Sequence, residues 1–465
     1  MSAGGHESEA PLNSACAIRR RFGIVSLLAV FWLVPAIAQG AERAEEAFRF
    51  AAYYTVKIET TVSLPTGPDD EAGVFTGAGF VVDLPRRWIV TNAHVVSRSP
   101  ATLRLRARHG PWIAGRRVYV DPYLDIAVIA PKNPSQLANV KAATLACGNT
   151  PPVGHPVGAF GHPWGLDFTG TRGIVAGVGE RYEPGALLTD APINDGNSGG
   201  PLISLVTGQV VGVNTSALAE KEVQNLNFAI SARYVCRILD LLRAGRDPSP
   251  LARSLVFYAD TRPPGALKVA RNFMPPGSLP LRPGDVIKEV GGDPEPITSL
   301  SDLIDALRGR LAAVTLRIER NGRNVLLSGH LPAMSPVLDR KVIYASGVVF
   351  GQARNFDPAE INYSPVTTCY IEGGSLGMAS GFERCDAVET VDGVATTDLG
   401  HLHRQLEAAR RTGRPVAVVV KRIAGLKGRS YFEYRALSLP VEDLRWVRVS
   451  DERGEVSGRN PGGTH

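Results

Sequence analysis

The chain has 465 residues, of which 44% are hydrophobic and 21% are charged. These fractions are ordinary for a folded soluble protein, and the length is too great for a single core, so we expect about three domains. The formal net charge is +6, and no run of lysines and arginines has the pattern of a nucleic-acid or polybasic membrane patch, so we expect no nucleic-acid partner.

The N-terminus has the pattern of an export signal. Three arginines at 19–21 precede an apolar run over residues 22–34, and the small residues Ala36 and Ala38 follow. This order predicts a signal peptide over residues 1–38, cut after Ala38. The apolar run is shorter than the roughly 20 residues that a membrane span needs. An uncleaved signal anchor in the inner membrane is the alternative.

Short β-rich runs separated by Gly/Pro turns fill the chain between Tyr53 and Phe228. Runs such as YYTVKIETTV, GAGFVV and DIAVIA, with no long amphipathic helix between them, predict an antiparallel barrel or sandwich. The segment SARYVCRILDLLRAG then predicts a helix that begins after Ser231 and closes the first domain. Residues 246–250, RDPSP, are polar and contain proline, which indicates a linker.

Two segments after the linker are similar to each other. Residues 282–309 and 382–413 each offer an apolar strand after an aspartate, a glycine turn and a capped helix, and each then returns to a strand. An internal repeat of this length predicts two small α+β modules. Residues from about 451 to 465 are Gly-rich and polar and predict a disordered tail.

Of the five cysteines, Cys16 lies in the predicted signal, which leaves Cys147, Cys236, Cys369 and Cys385. An even number in an exported chain permits disulfides, and the sequence spacing favours Cys369 with Cys385, although four cysteines allow three pairings. Buried thiols are the equal alternative. No cysteine or histidine cluster has metal-ligand spacing, so we expect no metal.

One serine, Ser198, stands between glycines in INDGNSGGPL, residues 193–202. Glycines let the backbone turn sharply and let another molecule lie against it, although an ordinary loop is the equal alternative. A serine hydroxyl is a poor nucleophile unless a base takes its proton and a carboxylate orients that base. We therefore look for one histidine and one aspartate at strand ends.

His94 and Asp125 meet this requirement. His94 follows the apolar strand WIVTNA, and Asp125 begins the apolar run DIAVIA, where a buried carboxylate would need a hydrogen-bonded partner such as an imidazole. A packed structural histidine and a turn-capping aspartate are the alternatives. With Ser198 they occur in the order His, Asp, Ser of the chymotrypsin arrangement.

The motifs TNAHVV, LDIAV and GNSGGPL resemble the triad motifs of trypsin-like serine proteases, specifically of the HtrA/Deg family, and the two repeats resemble PDZ domains. The resemblance implies a mainly β chain with a chymotrypsin-like double β-barrel over residues 39–246. It implies α+β PDZ-like domains over residues 251–332 and 340–442, and a partly disordered C-terminal extension over residues 443–465.

The resemblance also assigns roles. It makes Ser198 the nucleophile, His94 the general base and then acid, and Asp125 the orienting carboxylate. It places the N–H groups of Gly196 and Ser198 in the oxyanion hole. It places Pro192 at the floor of the primary specificity pocket, so that small or medium aliphatic residues are expected before the cut.

Regulation is expected to come from loop order. Asn197 stands where digestive relatives carry the aspartate that pairs with a new N-terminus, so zymogen activation is not expected. Activity is expected to depend on whether loops such as GHPWGL, residues 161–166, are ordered, a state that ligand binding could bias.

A PDZ-like module binds an extended peptide by adding it as a strand. The first module lacks the glycine of the family's binding loop, whereas the second carries Gly347 in YASGVVFG, which is therefore the candidate peptide-binding residue. The second module has Cys385 where the first has Gly284, so an altered turn is expected there. A role as a spacer is the alternative.

The resemblance implies an exported, ATP-independent serine endopeptidase without a cofactor, acting in the periplasm on misfolded or exposed envelope polypeptides. Its expected partners are such polypeptides, peptide C-termini at the PDZ-like domains and further copies of the chain. Family members commonly trimerise through N-terminal aromatics, with core packing as the alternative role here for Phe48, Phe50, Tyr53 and Tyr54. The rival function is a chaperone or adaptor that holds unfolded chains with little proteolysis.

Overall fold

The structure is a computed structural model. It describes residues 42–66, 71–121, 123–148, 150–178, 185–215, 227–251, 255–258, 266–272, 274, 277–310, 313–331, 339–352, 365–426 and 429–450. The predicted signal peptide and the predicted disordered tail lie outside the described residues. Among the helices described, none is both long enough and apolar enough to cross a membrane.

The first six strands form a closed antiparallel barrel in the order β1-β2-β3-β6-β5-β4. Along β1, TVKIETTV, every second side chain from Val56 to Val62 is buried, which is the period of a strand with one buried face. A helix over residues 42–51, α1, precedes the barrel, and a short helix, α2 (Ala93–Val96), follows β3. The strands are β1 (Thr55–Val62), β2 (Gly73–Asp83), β3 (Trp88–Thr91), β4 (Ala101–Ala107), β5 (Ile113–Val120) and β6 (Ala127–Pro131).

The next six strands form a second closed barrel in the order β10-β11-β12-β9-β8-β7. The mainly β, double-barrel prediction is therefore confirmed. Helix α3 (Ala232–Arg243) follows, and its Val235, Ile238 and Leu239 are completely buried in the core that it shares with the first barrel. The strands are β7 (Pro156–Gly161), β8 (Thr169–Val178), β9 (Ala186–Thr189), β10 (Pro201–Ser204), β11 (Val210–Thr215) and β12 (Asn227–Ser231). Two 3-10 turns cover Pro134–Gln136 and Pro163–Gly165.

Two further sheets follow, each with its own hydrophobic cluster. The first module orders its strands β13-β14-β15-β16-β17, and the second orders them β24-β23-β21-β20-β19-β18-β25, with β22 paired to β21. The first contains β13 (Leu255–Phe257), β14 (Leu267–Asn272), β15 (Val286–Val290), α4 (Leu300–Ala306), β16 (Ala313–Arg320) and β17 (Arg323–His330). The second contains β18 (Asp339–Ala345), β19 (Val348–Gln352), β20 (Val366–Ile371), α5 (Leu376–Ala379), β21 (Ala387–Val391), β22 (Val394–Ala395), α6 (Leu399–Thr412), β23 (Val416–Leu426), β24 (Arg429–Leu439) and β25 (Arg445–Ser450).

The second module reaches further along the chain than the sequence indicated. Strand β25, which the sequence placed in a C-terminal extension after residue 442, pairs antiparallel with β18 from Tyr344 to Asp339. Pairing with an edge strand supplies partners for the backbone of both segments, which composition alone does not reveal. The domain boundaries themselves stay a prediction.

The turn at Cys385 is not altered, contrary to expectation. Cys385 has φ +66 where Gly284 has φ +94, and each donates its N–H to the strand before it, to Thr368 O and Val269 O respectively. The aspartate that follows is paired in both modules with an arginine, Asp285 with Arg320 and Asp386 with Arg422. The same charge pair therefore maintains the turn in both copies, and the cysteine tolerates the left-handed conformation.

The favoured cysteine pairing was wrong. The disulfide joins Cys147 to Cys236 across 89 residues, with their Cα atoms 5.8 Å apart, and so ties the segment before β7 to α3. Cys369 is buried, and Cys385 is exposed on the turn before β21. Nearness in sequence does not control the direction of a side chain, which is why spacing misled here.

Loss of this disulfide should lower stability. Removal of a cross-link that closes a long loop raises the entropy of the unfolded chain, so Cys147→Ser should lower the free energy of unfolding by about 2–4 kcal/mol. Urea unfolding with and without reductant measures this, and Cys385→Ser is the matched control. Equal sensitivity of the wild type and Cys147→Ser to reductant would contradict the assignment.

Candidate active site

The barrel topology brings His94 beside Asp125. Strands β3 and β6 are neighbours, and their register pairs Thr91 with Ala127, so the end of one strand lies next to the start of the other. The Nδ1 atom of His94 lies 2.6 Å from Oδ2 of Asp125, and the His94 backbone N–H donates to Oδ1 at 2.9 Å. An ionised carboxylate only accepts hydrogen bonds, so Nδ1 carries the proton and Nε2 is the acceptor.

Asp125 also has a partner from the second barrel. The hydroxyl of Thr215, at the end of β11, donates to Oδ2 at 2.9 Å. The side-chain amide of Asn92 donates to the Asp125 backbone carbonyl at 2.7 Å. Burial by itself would raise the pKa of Asp125, but the charge and hydrogen bonds of His94 hold that pKa well below its usual range. The carboxylate thus stays ionised and orients the imidazole.

Ser198 lies where the two barrels meet, and it is 5% exposed. Its carbonyl accepts a hydrogen bond from the N–H of Ala78 on β2. The next residue, Gly199, has φ +82, and a Cβ there would lie 2.2 Å from both the Ala78 carbonyl oxygen and Thr91 Oγ1. Only glycine fits this approach. The serine turn is thereby pressed against the strand that leads to His94.

The second barrel holds the same turn from the other side. Gly199 donates its N–H to the carbonyl of Asn214, and Asn214 donates its own N–H to the carbonyl of Gly200. Asn214 directly precedes Thr215, the partner of Asp125. A short stretch of β11 therefore contacts both the serine turn and the carboxylate, so the structure gathers the three predicted residues at one junction.

Gly196 faces the loop that follows β7. A Cβ on Gly196, which has φ +100, would lie 2.2 Å from the carbonyl oxygen of His162. His162 donates its N–H to the Gly196 carbonyl at 3.1 Å, and Trp164 donates its N–H to the Asp195 carbonyl at 2.9 Å. In a trans peptide the C=O and N–H point in opposite directions, so the Gly196 N–H is directed away from this loop.

The backbone amides of Gly196 and Ser198 are open donors. Within the part of the chain that the structure describes, neither donates a hydrogen bond to another protein group. Buried N–H groups are nearly always paired, so two adjacent open donors beside a serine indicate a place for an external acceptor. A developing oxyanion is such an acceptor.

Pro192 and Gly347 remain predictions. Pro192 is exposed, and its carbonyl accepts a hydrogen bond from the hydroxyl of Thr171. Gly347 lies with Ser346 in a two-residue turn in which both have positive φ, typical of a tight hairpin. Strand β19, directly after it, is hydrogen-bonded to β18 on one side and β20 on the other. Among the described residues, no strand pairing or hydrogen bond joins Gly347 to the serine turn.

The sequence prediction missed Thr215, Asn92 and Asn214 as individual site residues. Asn92 belongs to the motif TNAHVV, and Asn214 and Thr215 belong to the stretch GVNTS, residues 212–216. A threonine or asparagine in such a stretch also suits a turn, so residue type alone did not distinguish an orienting side chain from a structural one.

Thr215→Val should lower kcat/KM for peptide cleavage about tenfold, since a hydrogen bond to a charged group contributes about 1.5–3 kcal/mol. The reason is the loss of one donor to the Asp125 carboxylate. The matched control is Thr189→Val, which removes an equally buried hydroxyl that donates to the Ile174 carbonyl in the same barrel. Steady-state kinetics on a fluorogenic peptide compare them, and equal rates for the two variants would refute the role.

Stability should fall in mild acid because of His162. Burial, assisted by the charge of Lys57, lowers the pKa of His162 to about 4. The unfolded side chain titrates near its ordinary value of 6.5, so the unfolded chain binds the extra proton between pH 6.5 and 4. The free energy of unfolding should therefore drop through this window by up to about 3 kcal/mol.

The test is urea unfolding at several pH values. His162→Gln lacks the titrating imidazole and should show a flatter pH dependence than the wild type. Parallel pH profiles for the two proteins would contradict the assignment.

Comparison with known proteins finds relatives over the part of the chain that holds these residues. Residues 77–213 match the family described as Trypsin-like peptidase domain. The periplasmic serine endoprotease DegP of Salmonella typhimurium is 38% identical over 166 residues, which is 34% of this chain and 34% of that protein. A probable periplasmic serine endoprotease DegP-like protein of Halomonas elongata is 31% identical over 274 residues, or 54% and 56% of the two chains. The chain thus spans between about a third and somewhat over half of the length of these relatives.

Among solved structures, the HtrA-type protease AlgW with tripeptide aligns with a TM-score of 0.49 and 22% identity, over 63% of this chain and 98% of that chain. The serine endoprotease from Yersinia pestis aligns with a TM-score of 0.46 and 24% identity, over the same shares.

Proposed function

From the premise that residues 77–213 form a trypsin-like peptidase domain, we propose that this chain is an exported serine endopeptidase. The observation that supports it best is the junction of the two barrels. There His94 and Asp125 are hydrogen-bonded, and the Ser198 turn is packed against the strand before His94. The roles proposed from sequence suit this arrangement.

In the proposed reaction, Ser198 Oγ attacks the peptide carbonyl carbon while His94 Nε2 takes the hydroxyl proton. The carbonyl oxygen becomes an oxyanion that accepts hydrogen bonds from the N–H groups of Gly196 and Ser198. The C–N bond then breaks, and His94 returns its proton to the leaving amine. Water, activated in the same way, hydrolyses the acyl-enzyme and regenerates the serine. Asp125 stabilises the imidazolium without taking a proton.

The proposed substrates are misfolded or exposed envelope polypeptides, because the relatives are named periplasmic serine endoproteases. Pro192 at the proposed pocket floor offers no carboxylate to Lys or Arg, so small or medium aliphatic residues are preferred before the cut. The Cys147–Cys236 disulfide supports export, because disulfides persist in oxidising compartments such as the periplasm.

The two modules are proposed to bind peptide C-termini, with Gly347 at the site in the second, and the chain is proposed to form homo-oligomers. Of the N-terminal aromatics, Tyr54 is buried and Phe48 stacks on Phe160, whereas Phe50 and Tyr53 are 40% and 43% exposed. Core packing thus accounts for the first two, and the exposed pair remains for contact with other copies.

Labelling by a fluorophosphonate tests the proposal. Wild-type protein should react at Ser198 and degrade casein, and Ser198→Ala should do neither, because the nucleophile is absent. Ser204→Ala is the matched control, since Ser204 Oγ lies 2.8 Å from Nε2 of His155 and is also a buried serine beside a histidine. Failure of wild type to label, with or without unfolded substrate, would instead favour a holding chaperone.

A further inference from the structure

Two like charges face each other across strands of the first barrel. Lys57 on β1 is directly opposite Arg106 on β4, and a like-charge pair at this position destabilises a sheet. The next pair on the same face, Glu59 and Arg104, has opposite charges joined at 2.8 Å. Lys57 and Arg106 therefore need an anion from elsewhere, whereas their neighbours satisfy each other.

Asp167 supplies that anion from the second barrel. It lies between the Pro163–Gly165 turn and β8. Its Oδ1 is 3.0 Å from Lys57 Nζ, and its Oδ2 is 2.6 Å from an Arg106 guanidinium nitrogen. Lys57 Nζ also donates to the Gly165 carbonyl at 2.9 Å. Both cations thus hold one loop, which we define as the clamp loop, residues 162–168.

The clamp loop has a backbone that needs such support. Trp164 and Phe168 have φ +54 and φ +57, a left-handed conformation that costs a non-glycine residue about 1–2 kcal/mol. Trp164 is 74% exposed, so burial of its ring does not offset this strain. The Phe168 ring packs against that of His162, so the support for Trp164 comes from the hydrogen bonds that the loop makes with Lys57, Arg106 and Asp195.

Trp164, one of the two strained residues, also holds the serine turn. The Trp164 N–H donates to the Asp195 carbonyl, so the Gly196 N–H of the same peptide points in the opposite direction, away from the clamp loop. If the clamp loop relaxed, this peptide would lose its external partner and could rotate. The open donor of Gly196 depends in this way on a loop anchored by the first barrel.

We propose that Lys57, Arg106 and Asp167 form a clamp between the barrels that presets the oxyanion hole through the clamp loop. These are positioning residues for the proposed peptidase reaction, on which this inference rests. The clamp keeps the hole formed in the absence of an activating ligand. Because Asp167 is 46% exposed, salt screens the clamp, and kcat should fall as ionic strength rises.

Asp167→Asn removes the anion and keeps the shape of the side chain. We expect kcat to fall about fivefold to tenfold with little change in KM, because an oxyanion donor acts in the transition state and not on bound substrate. Affinity for a peptide boronate, which forms a tetrahedral adduct, should weaken by the same factor. Asp167→Glu should recover most of kcat and its dependence on salt.

Glu59→Gln is the matched control, because it breaks an ion pair on the same face of the same two strands without touching the clamp loop. It should leave kcat and boronate affinity at the wild-type level. Lys57→Met is the second test of the clamp and should reproduce the effect of Asp167→Asn. Equal effects of Glu59→Gln and Asp167→Asn, or a change confined to KM, would overturn the proposal.

Amide hydrogen exchange supplies a readout that does not need catalysis. Exchange over residues 162–168 should be faster in Asp167→Asn than in wild type and unchanged in Glu59→Gln. Unchanged exchange in Asp167→Asn would overturn the clamp proposal, whatever the effect of the substitution on kcat. Faster exchange with an unchanged kcat removes its link to the oxyanion hole. If wild type shows no hydrolysis that depends on Ser198, the proposed function is wrong. The exchange measurement would still test whether the three charged residues hold the clamp loop.

Discussion

The rest of the site depends on the hydrogen bonds that the carboxylate of Asp125 accepts. A buried charge is costly unless hydrogen bonds surround it, and here the donors come from both barrels: His94 from the first and Thr215 from the second. His94 gives each carboxylate oxygen one donor, and Thr215 adds a second donor to Oδ2. The packing that brings Thr215 to this carboxylate also places the serine turn against the strand before His94.

The first module is joined to the same region by buried charge. Asp121 accepts hydrogen bonds from the backbone N–H groups of Tyr123 and Leu124, directly before Asp125. Arg308, at the end of the helix segment of the first module, is buried and donates to the other Asp121 oxygen. Charge pairs between α3 and the module, including Arg237 with Asp293, add to the contact. The module and the turn before Asp125 are thus one connected structure.

The repeated modules show how one charge pair can preserve a turn through changes of sequence. Cys385 in the second module occupies the position that Gly284 has in the first, and it too has a positive φ. Asp386 is bound to Arg422 as Asp285 is to Arg320, and this pair holds the turn. The aspartate accepts a backbone N–H of its own turn in both modules. The cost of a left-handed cysteine is smaller than the cost of leaving a buried carboxylate without its partners.

The sequence by itself determined the local features: strand period, the glycines of the serine turn, the internal repeat, and the residue types able to form a triad. These follow from properties of neighbouring residues, and together with the family resemblance they made His94, Asp125 and Ser198 the candidates before the fold was known. Only the tertiary structure decided the Cys147–Cys236 pair, the partner of Asp125 on β11 and the acceptor for Lys57 and Arg106. Each of these joins side chains far apart in the chain, and their meeting depends on how the strands pair, which no local pattern records.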